Sequence, residues 1–189
     1  MSARSSKAGC WADGKLPANV KLGPNTILRG DQSFHRFRSR KKPALVISHD
    51  CTMDGVHFSL GESARVKIGN HCCFSNAILL CELELIIGNY VVIGWNATIA
   101  DSDFHPISPA QRIADSLACS TLANGRARPP IVVKPVIIED DVWIGPNATI
   151  LKGVRIGAGS FIEPGSLVTR NIPPGSRVMG NPAQVIGSV

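Results

Sequence analysis

One histidine follows two aspartates and precedes a proline, in the segment Ile-Ala-Asp-Ser-Asp-Phe-His-Pro that ends at Pro106. A neutral imidazole can remove the proton of a hydroxyl group held about 3 Å away, so His105 is a side chain able to act in acid–base chemistry. Asp101 and Asp103 precede it closely, and either carboxylate could fix the tautomer of the ring or hydrogen-bond a substrate. The alternative is that both aspartates only cap the backbone of a loop.

A basic cluster lies near the N-terminus and accounts for much of the formal net charge of +6. Its members are Arg36, Arg38, Arg40, Lys41 and Lys42. One interpretation is a solvated loop, and another is a surface that faces an anionic molecule such as a diphosphate-linked glycan. Nucleic-acid binding would need interleaved aromatic residues and a recognisable motif, and only Phe34 and Phe37 lie nearby, so we expect no nucleic-acid partner.

The elements that must position these residues are indicated by a six-residue period in the second half of the chain. Large aliphatic residues occupy its positions in the order Ile138, Ile144, Ile150, Ile156, Ile162 and Val168. A smaller residue, also expected to point inward, stands two positions before each of them, as in a short strand. A helix would need apolar residues at i+3, i+4 and i+7, which this pattern lacks. A period of six residues keeps the same side chains buried only if the chain turns a corner in every repeat.

An earlier block repeats the pattern, with one irregular step. Its inward positions are predicted at Ile68, Phe74, Leu80, Ile87, Ile93 and Ile99. The step of seven from Leu80 to Ile87 predicts a bulge or widened corner within one coil. Weaker copies occur at Leu22 and Leu28. We therefore divide the chain into an N-terminal segment, 1–44, with a repeat-like turn and a basic loop, and a repeat domain, 45–187. Residues 101–135, which are polar and contain prolines, are predicted to be an external loop that is functional or mobile.

Composition limits the compartment and the kind of core. The chain has 44% hydrophobic but only 5% aromatic residues, with 18 glycines and 13 prolines, which favours a core of branched aliphatic residues interrupted by turns. Its apolar runs are much shorter than the roughly 20 residues that span a bilayer. No apolar stretch typical of a secretory signal follows the first basic residues. We expect a cytoplasmic protein without a membrane span.

Three segments resemble the hexapeptide-repeat acyltransferases: 142–150 (Val-Trp-Ile-Gly-Pro-Asn-Ala-Thr-Ile), 154–162 (Val-Arg-Ile-Gly-Ala-Gly-Ser-Phe-Ile) and the ending 172–186. The likeness covers roughly residues 60–187 and is closest to the maltose and galactoside O-acetyltransferase branch. It implies an all-β fold, a left-handed parallel β-helix with three hexads per triangular coil, an external loop and a short C-terminal extension. The left hand comes from the resemblance alone, because parallel crossovers are otherwise almost always right-handed. A homotrimer with acetyl-CoA sites between subunits is also implied.

The resemblance assigns His105 as the general base in a direct transfer of acetyl from acetyl-CoA to a hydroxyl. Backbone N–H groups at a corner of the β-helix could stabilise the oxyanion. Asn76 and Glu82 correspond to acceptor contacts, and Asp101 and Asp103 join them as candidate substrate-binding residues. The alternatives are that Asn76 is a turn or ladder residue of the solenoid and that Glu82 is a solvated corner residue.

For acetyl-CoA, the resemblance implies contacts in the last coils, at Gly145, Pro164, Thr169 and Arg170. The sequence departs from the family pattern after Asn181-Pro182-Ala183, where Gln184 and Gly187 replace basic residues that often meet CoA phosphates. We therefore expect the pyrophosphate contacts to fall to Arg170, Arg177 or Lys152.

Particular residues argue for or against other functions that the same fold can have. A γ-type carbonic anhydrase would hold zinc with three histidines, but His71 and His105 are far apart and no histidine pair has the spacing that would place two ligands on adjacent coils, so we expect no metal. A non-enzymatic scaffold would not need the segment that ends at Pro106. Among acceptors we prefer a sugar in surface-polysaccharide biosynthesis, with peripheral membrane contact if it is lipid-linked. A nucleotide-linked sugar and an antibiotic hydroxyl are the alternatives.

Overall fold

A computed structural model describes residues 7–121 and 123–189, and in this part of the chain short β-strands wind into a solenoid. The strands are β1 (Cys10–Trp11), β2 (Val20–Leu22), β3 (Ile27–Arg29), β4 (Leu45–Ile47), β5 (Thr52–Asp54), β6 (His57–Leu60), β7 (Arg65–Ile68), β8 (Cys73–Ser75), β9 (Ile78–Cys81), β10 (Glu84–Ile87), β11 (Val92–Ile93), β12 (Thr98–Ala100), β13 (Val136–Ile138), β14 (Trp143–Ile144), β15 (Thr149–Ile150), β16 (Arg155–Ile156), β17 (Phe161–Ile162), β18 (Leu167–Val168), β19 (Ser176–Gly180) and β20 (Ala183–Ser188). One helix, α1 (Pro109–Cys119), interrupts them.

Three sheets form the faces of the solenoid. Sheet A has the strand order β1-β3-β5-β8-β11-β14-β17-β19-β20, sheet B has β16-β13-β10-β7-β4-β2, and sheet C has β18-β15-β12-β9-β6. Each complete coil contributes one strand to sheet B, then one to sheet A and one to sheet C, and all pairs are parallel except β19 with β20. The predicted all-β parallel β-helix is confirmed, and its geometry is consistent with left-handed winding.

The core consists of aliphatic side chains stacked in register from coil to coil. In sheet C, for example, Ile99 pairs with Ile150 and Ile150 with Val168, and all three are buried. The six predicted positions from Ile138 to Val168 are all buried. Period six works here because each strand places one residue inward before the chain turns a corner.

The earlier block contains the predicted widened corner between β9 and β10, and a shortened corner between β8 and β9 that the sequence pattern did not show. Leu79, not Leu80, is the fully buried partner of Ile99, and Leu80 points to the outer face of sheet C. The corner after Phe74 is one residue shorter than the corresponding corner after Ile93, so the inward phase changes there. The extra length appears at the next corner, between β9 and β10. The predicted widened corner therefore exists, but Leu80 was assigned to the wrong face.

The strands of the N-terminal segment extend the same sheets. β2 pairs with β4 in sheet B, and β3 pairs with β5 in sheet A, where Leu28 is fully buried beside Met53. At the other end, β20 folds back antiparallel to β19 as the short C-terminal extension. No helix in the described part of the chain has the length and apolar character needed to cross a membrane.

Residues 101–135 leave the solenoid between β12 and β13 and return to it, as predicted, and we call them the excursion. It is not wholly irregular, because it contains α1 over eleven residues. Pro109 in the first turn supplies the fixed φ that suits a helix start, and three alanines favour the helical state. These signals could have predicted the helix from sequence.

Candidate active site

Asp101 begins the excursion and is fully buried. Its carboxylate accepts hydrogen bonds from the backbone N–H groups of Glu82, Leu83 and Glu84 at 2.7–2.8 Å. These N–H groups lie at the widened corner between β9 and β10, and Asp101 supplies the hydrogen-bond acceptor that a buried backbone donor needs. Asp101 was predicted as a substrate contact or a backbone cap, and these hydrogen bonds are those of a cap.

Asp103 is also engaged elsewhere. Its carboxylate forms a salt bridge with Lys152, at the corner that follows β15. This contact ties the start of the excursion to the next coil. In this conformation Asp103, expected near the histidine ring, and Lys152, expected as a phosphate contact, are therefore paired with each other.

The carboxylate that contacts the ring of His105 is Asp115 on α1. The Nδ1 atom of His105 lies 2.5 Å from Oδ2 of Asp115, and Asp115 is fully buried whereas the His105 side chain is 62% exposed. Arg128 donates from Nε to Oδ1 of Asp115 at 2.6 Å and from Nη2 to Oδ2 at 3.1 Å. It also donates from Nη2 to the carbonyl of Phe104 at 3.0 Å. One arginine thus fixes both the carboxylate and the backbone beside the histidine.

These bonds determine the charge on Asp115. Hydrogen bonds from Arg128 and then from His105 lower the pKa of Asp115 to about 2. An ionised Asp115 accepts a hydrogen bond from the Nδ1–H group, so in the neutral imidazole Nδ1 carries the hydrogen and Nε2 has the free lone pair. The neutral ring of His105 is therefore held with Nε2 free, by a residue ten positions further along the chain that sequence reasoning missed.

A cleft of about 350 Å³ lies in front of His105. Ser59 and Leu80, on the outer face of sheet C, form its floor, and Glu82, Ser102 and Arg128 lie at its edge. The carboxylate of Glu82 lies over Gly61, where an added Cβ would come within 1.8 Å of Oε2. Burial raises the pKa of Glu82. The structure thus brings Glu82 and His105 to one cleft.

Asn76 lies at a different corner of the same coil, between β8 and β9, in the left-handed conformation with φ of 45°. Its backbone N–H donates to the carbonyl of Asp54, and its own carbonyl accepts from the N–H of Asn96. Within one chain it does not line the His105 cleft, and its contacts are those of a ladder residue.

The predicted CoA contacts occupy two corners and one strand. Gly145 and Pro164 stack on adjacent coils between sheets A and C, where a Cβ on Gly145 would lie 2.6 Å from the Pro164 nitrogen. Thr169 and Arg170 follow β18 and are exposed. Arg177 donates from Nε to Glu163 at 2.7 Å and lies 5.8 Å from the ring of Phe161. Among these residues, Arg170 is thus the basic side chain that forms no ion pair with the described residues.

Two histidines do share neighbouring coils, contrary to the sequence expectation. The rings of His49 and His71 are 5.2 Å apart, edge to face. Together with Asp50 they place possible ligand atoms within 4.8 Å of one another. The group lies at the exposed corner between sheets B and A, away from His105, and Nδ1 of His49 is already bonded to Asp50 at 2.6 Å. The sequence spacing hid this pair because irregular coils do not keep an eighteen-residue repeat.

Known proteins with similar sequences are acyl-group transferases. Residues 135–170 match the family described as bacterial transferase hexapeptide (six repeats). A galactoside O-acetyltransferase from Lactococcus lactis is 35% identical over 130 residues, which cover 69% of this chain and 51% of that protein. A 2,3,4,5-tetrahydropyridine-2,6-dicarboxylate N-acetyltransferase from Staphylococcus aureus is 54% identical over 57 residues, 30% of this chain and 24% of that protein. The chain thus spans about half or less of the length of these curated relatives.

Solved structures agree. A hexapeptide-repeat acetyltransferase from Vibrio cholerae has a TM-score of 0.58 at 28% identity, covering 82% of this chain and 76% of its own. A galactoside acetyltransferase in complex with coenzyme A has a TM-score of 0.57 at 27% identity, covering 75% and 64%. Residues 135–170 therefore carry the hexapeptide repeats of that family, and the described chain folds as a parallel β-helix. More narrowly, it is related to the galactoside O-acetyltransferases, and the predicted resemblance is confirmed.

Proposed function

We propose that this protein is an acetyl-CoA-dependent O-acetyltransferase that acetylates a sugar hydroxyl, with His105 as the general base. The observation that carries the proposal is the contact between Asp115 and Nδ1 of His105 beside an open cleft. The similarity to a galactoside O-acetyltransferase supports the reaction, and the similarity to a structure solved in complex with coenzyme A supports the co-substrate.

The geometry suggests the order of proton transfers. Nε2 of His105 removes the proton of the acceptor hydroxyl as its oxygen attacks the thioester carbonyl. Backbone N–H groups at a corner would stabilise the oxyanion. Collapse of the tetrahedral intermediate breaks the C–S bond, and the imidazolium returns its proton to the departing thiolate. Asp115 stays ionised throughout and stabilises the charged ring, while Glu82 can accept a hydrogen bond from another hydroxyl of the acceptor.

Binding of acetyl-CoA is proposed along the last coils. Arg170 is the exposed cation best placed to meet a phosphate, with Gly145, Pro164 and Thr169 as further contacts, while Arg177 would have to leave Glu163 to contribute. A homotrimer, with the co-substrate between neighbouring subunits, completes the proposal. We also propose a role in surface-polysaccharide biosynthesis in the cytoplasm, with no resident metal.

The test compares wild type, His105→Ala and, as a matched control, His57→Ala, whose exposed ring lies on β6. Thiol release from acetyl-CoA is followed across sugars, nucleotide sugars and hydroxylated antibiotics. Loss of a general base should reduce kcat by about 10²- to 10⁴-fold, whereas His57→Ala should leave the rate unchanged. Full activity of His105→Ala would refute the assignment, and acetylation of antibiotics alone would refute the sugar acceptor. CoA binding without turnover of any acceptor would favour a scaffold.

A further inference from the structure

Residues 33–40 run beside β6 as an irregular edge of sheet C. The N–H of Phe58 donates to the carbonyl of Ser33 at 2.9 Å, the N–H of Leu60 donates to the carbonyl of Arg36 at 3.2 Å, and the N–H of Arg38 donates to the carbonyl of Leu60 at 2.8 Å. Turns lead up to Arg36, and Phe37 forms a parallel bridge with Leu60. Phe37 packs against the core, and the residues on either side of it, Arg36 and Arg38, are exposed.

Both of these guanidinium groups line the cleft that contains His105. Arg36 and Arg38 line it together with Ser59, Leu80 and His105. The basic cluster of the sequence is thus divided by the fold. Its first two members face the cleft, and the remaining three do not line it.

The positive charges of Arg36 and Arg38 have no salt-bridge partner among the described residues. Arg40 forms a salt bridge with Glu62 at 3.2 Å, and Arg128 is bound to Asp115. In the described residues, the side chains of Arg36 and Arg38 form no hydrogen bond or salt bridge. Glu82 is the carboxylate in the cleft, and Arg38 and Arg128 both act to lower its pKa against the larger opposing effect of burial.

We infer that Arg36 and Arg38 bind an anionic group of the acceptor, a carboxylate or a phosphoryl group, while the reacting hydroxyl lies at His105. Both side chains line the same cleft on either side of Phe37, so two planar guanidinium groups can converge on one anion. Glu82 would repel that anion, which keeps the charged end of the acceptor on the Arg36 side. The inference rests on the proposed function, since it specifies the acceptor of that reaction.

Binding can be tested without turnover. Phenylglyoxal modifies accessible arginines, and the modification of Arg36, Arg38 and Arg40 is quantified by peptide mass spectrometry on the full chain. Galacturonate, galactose 6-phosphate and galactose are added separately, in the presence of CoA. An anion present at about ten times its dissociation constant should reduce modification of Arg36 and Arg38 about tenfold. Arg40, bound to Glu62 outside the cleft, is the internal control and should react equally in all samples.

Protection by galacturonate identifies a carboxylate as the preferred group, and stronger protection by galactose 6-phosphate identifies a phosphoryl group. Equal labelling with and without the two anions, or equal protection by galactose, overturns the inference. The double variant Arg36→Ala/Arg38→Ala should raise KM for the anionic acceptor by about tenfold or more, since each charge-assisted hydrogen bond contributes about one tenfold factor. The control double variant Arg40→Ala/Lys42→Ala should not change it.

The two proposals can fail separately. Protection by an anion without acetylation of any acceptor would support the anion site and refute the proposed acetyl transfer. Acetylation of neutral sugars, with KM unchanged by the Arg36→Ala/Arg38→Ala substitutions, leaves the reaction standing and removes the anion site.

Discussion

The last coils of the solenoid and the excursion at 101–135 are held in place by different physical means. In the coils, aliphatic side chains stack in register and are almost completely excluded from water. In the excursion, Ile107, Ile113 and Leu117 are exposed, and polar contacts of three aspartates hold it. Asp101 and Asp103 connect it to neighbouring coils, and Asp115 connects α1 to His105 and Arg128 within it. A repeated apolar pattern builds the scaffold, whereas a few specific ion pairs build the site.

The largest expected effect tests the first half of this contrast. Ile150→Ala removes a fully buried side chain stacked between Ile99 and Val168, and should lower the free energy of unfolding by about 2–5 kcal/mol. Ile113→Ala, at an exposed position on α1, should change it by less than about 0.5 kcal/mol. Chemical denaturation of both variants measures the difference, and equal losses would contradict the contrast.

The second effect concerns the site. Asp115→Asn keeps the shape of the side chain but removes the charge that fixes the His105 tautomer, and should reduce kcat by about 10²-fold or more. KM for acetyl-CoA should stay unchanged, because Asp115 acts through His105 and does not touch the co-substrate. The control is Asp103→Asn, which breaks a salt bridge with Lys152 and should alter kcat by less than about fivefold. Similar losses in both variants would indicate that the whole excursion, and not the histidine, had been disturbed.

The smallest effect is a dependence of stability on pH. The pKa of Asp115 is lowered to about 2 in the folded state, against about 3.9 for an unfolded aspartate. Between these values the unfolded state binds more protons, so the contribution of Asp115 is complete above about pH 4 and is lost as pH falls toward 2. Wild type should therefore lose more stability than Asp115→Asn between pH 5 and pH 3, as measured by urea midpoints. Parallel losses would contradict the assigned ion pair.

The sequence predicted the scaffold well because its information is local and repeated. The positions from Ile138 to Val168 gave the inward face, the corners and the class of fold, and the structure confirms them. Leu80 was misassigned because one shortened corner shifts the phase, and a period cannot show which of two adjacent corners carries an irregularity.

The site was less predictable. His105 was found through its segment, but Asp101 and Asp103, its neighbours in sequence, are used to hold the backbone and a lysine. Its actual partner, Asp115, is brought to it by the turn of a helix, and Arg128 reaches back from thirteen positions further along. Such contacts depend on tertiary geometry and leave no spacing rule in the sequence. The Asp115 position could have been considered only after α1 had been recognised from Pro109.

Helix α1 has little that would keep it folded by itself. Ser108 makes no side-chain capping bond, the first turn has no acidic residue, the last turn has no basic one, and Asp115 is its buried residue. A helix of eleven residues is marginal in water without tertiary support. The same carboxylate therefore anchors the helix and orients the ring of His105, so that folding of the excursion and the geometry proposed for catalysis form one equilibrium. A molecule that binds across α1 and His105 would change the population of this state as well as occupy it.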